Sequence, residues 1–599
     1  MTDLLKPRDP SRTLEIAVQA LLALGALYVL GSIYEFAQTR FLTIDEFQWG
    51  HATWLVANGE VPYRDFYEHH LPLGYTLHAP LYDPTASFAN NTLRFREVAF
   101  AYVLGALACL AWASWRTHRS GPEVWLTLAI VPATGFGLMS SIEYRGDNWS
   151  AFTLIACLAL IEAGQQTRSR SLAAVAGVLF VLAIGMTQKI LVLGGGAVLL
   201  MWIGGLWATR PALRSRIGAF RIERPWAFAT GAALLGFVML VTGLNLELLE
   251  LAWQINVEQS LQHEALYPSF PSAPYWRPYL EETWLSSGAL LVAAAAYVLT
   301  GGRKNFWTLP LILSAIGLFF IRAPFPYNFV LLTWAIGIAA VRAWCTAVRW
   351  IMNRAKTSGR PWNGTALLYG LPLLLLPAQL GFVSGTSSLD EQLQLLKQVE
   401  RYSAPDDVVI DSAGSALFRP HRGYYWYHGR AHVQMFAPWF DEVLIEEMRE
   451  SQAPLWIRTV RFDLLPEAAA RYLLTHYIPV YGDLHALGFQ TRATGPEERR
   501  SGSIEIVRSG TYYVMPGTES PHEAAQTGMN RPVIDGKVVT SPTLELEAGW
   551  HPVVIPPNSN SLRFSYLPPE AFEDTVPNQP HTRLFEYRRS RRPSERNSP

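Results

Sequence analysis

The sequence predicts a polytopic α-helical membrane protein carrying a C-terminal external α/β module and a β-sandwich. Three observations predict it. Apolar runs of membrane-spanning length fill most of the chain up to about residue 382. Beyond that point charges become frequent and the apolar residues fall into short alternating segments. Within the apolar part, arginine and lysine collect in every second connection. Lys+Arg and Asp+Glu both total 49, so net charge points to no particular partner, and nucleic acid is not expected as one. Cys109, Cys157 and Cys345 lie in or beside predicted spans, which leaves no disulfide framework and no cysteine-based zinc site.

Taken in order, the polar, basic N-terminus MTDLLKPRDPSR leads into an apolar stretch without a small-residue cleavage site, so it predicts an uncleaved first span. About eleven spans follow from the hydropathy: roughly 14–38, 96–115, 122–140, 149–164, 172–188, 190–207, 226–244, 285–301, 307–321, 327–343 and 364–382. The basic set of connections holds Arg116, Arg119, Arg168, Arg170, the group Arg210 to Arg224, Arg303, Lys304 and Arg349 to Arg360. The positive-inside rule makes that side and the N-terminus cytoplasmic. An odd number of spans then places the C-terminal region outside an inner (plasma) membrane.

The external region divides on pattern. LDEQLQLLKQVERY has helical periodicity and is followed by the strand-like DDVVIDSAG, and PEAAARYLLTHYIPVYG repeats that order, which predicts an α/β domain over 383–487. From 488 to 568 short strands recur between turn residues, the pattern of a β-sandwich, with Tyr512, Tyr513, Trp550 and His551 as glycan-binding or core aromatics. Residues 569–599 read as a polar disordered tail.

The ionisable residues cluster in the external loops. Asp45 and Glu46 stand a few residues past the first span, where carboxylates can act as a general base or hold a divalent cation; the plainer reading is a solvated span end. Arg64, Glu68, His69 and His70 form a denser group entering an apolar segment, suited to a metal or a phosphate and equally to a polar surface turn. Arg145 and Asp147 sit in a tight turn, as an anion-binding pair or a simple cap. Lys189 interrupts two apolar runs, where a charge is expensive unless paired or facing water, although it can also snorkel. Arg322 and Tyr327 occupy a similar turn. The loop 245–284 adds His263, Glu264, Tyr267, Tyr275, Trp276 and Arg277, which suit sugar or lipid contacts or an interfacial helix.

Acidic groups on the first loop and cations on several others, all facing one side, suit transfer of a sugar from a lipid phosphate. The departing phosphate is a weak base and needs no general acid. One carboxylate to take the acceptor proton, with cations or a metal for the phosphate, suffices. The set to hold a metal would be Asp45, Glu46 and His70.

These features together resemble the GT-C membrane glycosyltransferases, nearest the protein O-mannosyltransferase and aminoarabinose-transferase type. The resemblance rests on Asp45-Glu46 after the first span, an amphipathic juxtamembrane helix, GEVPYRDFYEHHLPL, the Arg145–Asp147 turn and the TQK of Thr187 to Lys189, and covers roughly residues 14–382. It implies a GT-C-like fold, a polyprenyl-phosphate sugar donor and a catalytic acidic residue on the first external loop, matched here by Asp45. Where the group commonly has Lys-Pro-Pro-Leu, this chain has His70-Leu71-Pro72-Leu73, so histidine replaces the lysine expected on the phosphate.

The leading expectation is therefore an inverting glycosyltransferase acting on a glycan, lipid or protein acceptor at the external face. Asp45 is the expected base and Glu46 its assistant. Arg145, Lys189, His69, His70 and Arg322 are expected on the donor phosphate. Arg64, Glu68, Asp147 and Tyr327 are expected on substrate. A transporter or flippase of lipid-linked sugars is the alternative; it predicts charged or broken helices at mid-membrane and pseudo-symmetric halves. A membrane anchor displaying a carbohydrate-binding module is a third reading, and eleven spans exceed what an anchor needs.

Overall fold

The computed structural model describes residues 10–134, 138, 142–208, 217–242, 246–259, 277–301, 305–321, 325–358, 363–381, 389–492, 494–495, 497–516, 531–557 and 561–572. Each of the eleven predicted apolar segments contains helix. In order they are α1 (Pro10–Thr39), α4 (Phe88–His118), α5 (Gly121–Ile130), α6 (Gly146–Thr167), α7 (Arg170–Met186), α8 (Gly196–Trp207), α9 (Pro225–Thr242), α11 (Arg277–Gly301), α12 (Thr308–Phe320), α13 (Val330–Thr357) and a 3₁₀ run Asn363–Leu375 that passes into α14 (Leu376–Gly381). Between α1 and α4 lie α2 (Ile44–Ala57) and α3 (Leu73–His78), and α10 (Leu246–Trp253) follows α9.

Four of these helices are long and apolar enough, by length and composition, to cross a membrane: Thr13–Thr39, Phe88–His118, Thr283–Gly301 and Pro326–Thr357. Arg170–Met186 and Thr308–Phe320 are apolar but shorter. At 1.5 Å per residue the first of these reaches ~26 Å, short of a hydrocarbon core of ~30 Å. α6 is buried on nearly every side along its length, so it forms the centre of the bundle. Its small and apolar faces pack against α4 and α7 in one continuous core.

The first loop folds over one end of this bundle. Thr43 opens α2 with a capping box: its hydroxyl accepts from Glu46 N–H and Glu46 returns a bond to Thr43 N–H at 2.9 Å. Trp49, fully buried on α2, stacks on Tyr75 of α3 at 4.3 Å and meets Trp149 of α6 edge-on at 5.2 Å. Gly146, where α6 begins, makes that packing possible, because a Cβ there would lie 2.2 Å from the Trp49 ring.

The C-terminal region, the part expected to lie on the external side, begins with α15 (Leu389–Tyr402), the helix expected from its periodicity, followed by α16 (Arg430–Met435), α17 (Ala437–Glu442), α18 (Leu444–Ser451) and α19 (Glu467–His476). Eleven strands accompany them among the described residues, β1 (Val409–Ile410), β2 (Leu455–Ile457), β3 (Tyr477–Tyr481), β4 (Leu484–Gln490), β5 (Arg500–Ile506), β6 (Gly510–Pro516), β7 (Val533–Ile534), β8 (Lys537–Val538), β9 (Thr543–Leu546), β10 (Gly549–Ile555) and β11 (Leu562–Ser565). One sheet runs β1-β2-β4-β11-β6-β9 with β3 also on β4, and the second runs β5-β10-β7-β8. The boundary expected at 487/488 falls inside β4. Its first half pairs with β2 at Leu455–Ile457 and its second half with β11 at Arg563–Ser565, so one ladder passes through both patterns. Of the tail 569–599 expected to be disordered, Pro569–Phe572 form a 3₁₀ turn, and the rest lies outside the described residues.

Candidate active site

The external region sits directly on the first loop. Gln392 of α15 brackets Leu42 through both backbone groups, Trp426 Nε1 donates to Tyr67 O at 3.0 Å, and Tyr424 OH donates to Tyr63 O at 2.6 Å. Bundle, first loop and external region together enclose a cavity of about 630 Å³. Its wall includes Asp45, His69, His70, Arg145, Lys189 and Tyr327 from the helical part. Tyr427, Arg430, His432 and Arg461 close it from the external part.

Asp45 is the only carboxylate lining this cavity among the described residues, facing four cationic side chains, Arg145, Lys189, Arg430 and Arg461. It occupies the first turn of α2 with its side chain 27% exposed. Its Oδ2 lies 3.0 Å from Arg145 Nη1, its Oδ1 accepts from Tyr427 OH at 3.0 Å, and Arg461 Nη2 stands 3.9 Å away. Burial pushes the Asp45 pKa up, but Arg145, Arg461 and the Tyr427 hydroxyl outweigh it and hold the carboxyl below its ordinary value. The cavity wall thus carries an excess of positive charge around one carboxylate.

Arg145 is the N-cap residue of α6. Its guanidinium carbon lies 3.3 Å from the centroid of the Tyr327 ring, and the group is bounded by three carboxylates: Asp45, Asp147 at 3.2 Å and Glu143 at 3.5 Å. Glu143 in turn pairs with buried Arg40 at 3.1 Å. Lys189, in the turn after α7, places its Nζ 5.9 Å from the centroid of the Tyr327 ring, and Gln188 beside it donates to Asn256 Oδ1 at 3.2 Å. Asp147 lies behind Arg145, buried, one layer away from the cavity wall.

Three more expected residues stand off the cavity wall. Glu46 turns into the protein, where Arg96 Nε and Nη2 donate to its two oxygens at 2.6 and 2.8 Å and Tyr144 N–H donates at 3.0 Å. Successive helix positions diverge by about 100°, so Asp45 and Glu46 cannot both face one cavity. Arg64 is largely exposed and forked onto Asp65 at 2.7 and 2.8 Å, outside the cavity. Glu68 is fully buried below His70. It accepts from His70 Nδ1 at 2.7 Å, His69 N–H at 2.9 Å, His70 N–H at 3.2 Å and Gln48 Nε2 at 3.2 Å. It therefore orients His70 and does not itself line the cavity. Arg322, His263, Glu264, Tyr267, Tyr275 and Trp276 lie outside the described residues.

The expected metal set of Asp45, Glu46 and His70 does not fit an ion, because Asp45 is committed to Arg145 and Tyr427 and Glu46 to Arg96. Glu68, His69 and His70 offer three ligand atoms within 4.8 Å of one another, with the Glu68 oxygen already accepting the hydrogen bonds just described. On the sandwich, Tyr512 is buried and Trp550 is 67% exposed, while His551 lies 2.6 Å from Asp535; none of them lines the cavity.

Tyr427, Arg430, His432 and Arg461 were not expected from the sequence. The first three fall in the run Tyr424–His432, YYWYHGRAH, whose density of aromatic and imidazole side chains is the available signal. Arg461 stands in the 3₁₀ turn Val460–Leu464 with no motif around it.

No protein-family model matches the chain, and no curated protein matches it significantly. Solved structures do. ArnT from Cupriavidus metallidurans in the apo state superposes with a TM-score of 0.54 at 13% identity, covering 79% of this chain and 98% of ArnT. The same protein bound to undecaprenyl phosphate gives 0.50 at 14% identity, covering 78% and 97%. At this identity the likeness is one of fold. Over about four-fifths of its length this chain has the fold of ArnT.

Proposed function

We propose that this protein is an integral-membrane glycosyltransferase. It takes a sugar from a polyprenyl-phosphate donor and places it on an acceptor hydroxyl in the cavity around Asp45. The single observation that carries the proposal is one ionised carboxylate facing four cations in a 630 Å³ cavity at the junction of bundle and external region. The fold is that of a protein crystallised with undecaprenyl phosphate, which supports a donor of that class.

In this reading the acceptor oxygen attacks the anomeric carbon while the carbon–phosphate-oxygen bond breaks on the opposite face, so the configuration inverts. The hydroxyl proton passes to Asp45. The phosphate gains one negative charge as it departs, and Arg145, Lys189 and the outward nitrogen of His70 stabilise that charge, with no general acid required. Tyr327 supports Arg145 through its ring, and Asp147 braces it from behind. Because Asp45 is held below its ordinary pKa by its cations, it is a weak base in the resting site. It gains basicity when the phosphate draws those cations away. We place the cavity on the external side of an inner membrane, with a cytoplasmic N-terminus, on the distribution of Arg and Lys among the loops.

The test is incubation of the purified protein with a panel of radiolabelled polyprenyl-phosphate sugars and candidate acceptors. Release of free polyprenyl phosphate with transfer of label is the expected result. Movement of the intact labelled lipid across proteoliposomes without release would instead make the protein a transporter.

A further inference from the structure

Arg145 is the cation that sequence spacing suggests for a phosphate, yet in the resting site three carboxylates surround it. Arg461 is placed differently. Among the described residues its one acidic partner within 4 Å is Asp45, at 3.9 Å and beyond hydrogen-bond distance, and its Nη1 is buried with no hydrogen-bond partner. It is also held in place before any ligand arrives. The guanidinium lies 3.7 Å over the Tyr427 ring, Nη2 donates to Tyr427 OH, and the Arg461 N–H is fixed by Thr459 Oγ1 at 3.2 Å. Its side chain is 12% exposed and lines the same cavity as Lys189 and Arg145. A preoriented guanidinium with an unsatisfied donor, on the wall of a cavity lined by cations, is suited to a charge-assisted hydrogen bond with a phosphate.

We infer that Arg461, held by Tyr427, is a donor-phosphate ligand supplied by the external region, and that the phosphate it captures competes with Asp45 for the site's cations. This rests on the proposed donor class and extends it: the donor site is complete only when the external region is docked on the first loop. Donor binding and readiness of Asp45 then become one event. The phosphate draws Arg461 and Arg145 toward itself, and Asp45 keeps the Tyr427 hydroxyl while its oxygen on the Arg145 side becomes available to the acceptor.

The test is binding of undecaprenyl phosphate to the full chain in detergent, with undecaprenol, which lacks the phosphate, as the reference. Wild type is expected to prefer undecaprenyl phosphate clearly. Arg461→Met is expected to weaken that binding by about 10- to 100-fold, the scale of a lost charge-assisted pair. Arg461→Lys keeps the charge but loses the fork and is expected to weaken it by about 3- to 10-fold. Binding of undecaprenol stays unchanged in both. Arg458→Met, on the other side of the same turn, remains within about twofold of wild type. Equal undecaprenyl phosphate affinity in wild type and Arg461→Met overturns the inference while leaving the proposed function standing. Should Arg461→Met fail to fold, an Arg461→Lys variant with wild-type affinity overturns it equally. A wild type that does not distinguish undecaprenyl phosphate from undecaprenol overturns both the inference and the donor class beneath it.

Discussion

Replacing Glu46 with glutamine separates the two adjacent carboxylates of the first loop. Glu46 is 3% exposed and accepts two bonds from Arg96, itself fully buried. Arg96 also donates to the carbonyls of Ala37, Arg40 and Phe41, so it ties the end of α1 to the first turn of α2. Glu46→Gln leaves the Arg96 charge buried without its counter-ion and turns an amide N–H toward it. Breaking one partner of such a pair costs about 3–5 kcal/mol. The three carbonyls that stay on Arg96 place the expected cost at the lower end, about 3 kcal/mol, or roughly a 100-fold rise in local opening. Hydrogen exchange measures it directly: amides over Phe47–Leu55 are expected to lose about 100-fold of protection in Glu46→Gln, while those of the central helix α6 change little. Donor turnover per folded molecule falls by less than tenfold. Wild-type protection on α2 together with abolished turnover would refute the reasoning and return Glu46 to the chemistry.

Other predictions follow from the same geometry. Asp45 is held below its ordinary pKa, so kcat/KM is expected to stay flat as pH falls to about 4 and decline only below it; an acid limb centred near pH 6 contradicts this. The same sign applies to stability. The depressed carboxyl contributes above its unfolded pKa, and that contribution disappears as pH falls through its folded one. Gly146→Ala forces a Cβ against buried Trp49, and the resulting overpacking is expected to cost about 1–3 kcal/mol. It also shifts Arg145 next to it, so thermal stability and donor affinity fall together. Chelation is expected to leave turnover unchanged, because Asp45 is satisfied by Arg145 and Tyr427. Loss restored by a divalent cation would assign that ion to Glu68, His69 and His70.

The sequence made the helical part of the site legible because each of its residues breaks a local pattern. Lys189 interrupts two apolar runs, Arg145 fills a turn too short to be mere linker, and Asp45 follows a span. Charges in such places carry a solvation cost that must be offset by a partner or a cavity. The difference between Asp45 and Glu46 was not legible in this way. Both are carboxylates at a helix start, and only the direction of the α2 axis decides that one faces the cavity and the other Arg96. Arg461 and Tyr427 were hidden for a further reason. They reach Asp45 across 416 and 382 positions, through the docking of α15 and the Tyr424–Tyr427 strip on the first loop. An arginine in a soluble region has many innocuous uses, and nothing local marks this one. The expected boundary at 487/488 falls inside a strand for a related cause: β4 changes partners midway, and alternation along a strand does not report which neighbour it pairs with.

The central claim is that Asp45 accepts the acceptor's proton while the cations around it hold the donor phosphate. The most direct measurement is single-turnover transfer from a polyprenyl-phosphate sugar by Asp45→Asn, alongside its affinity for undecaprenyl phosphate. The account predicts that transfer falls by at least about 10²-fold while affinity is kept or increased, because a negative charge has been removed from beside Arg145 and Arg461. Transfer at the wild-type rate by a protein that still binds the lipid would contradict it.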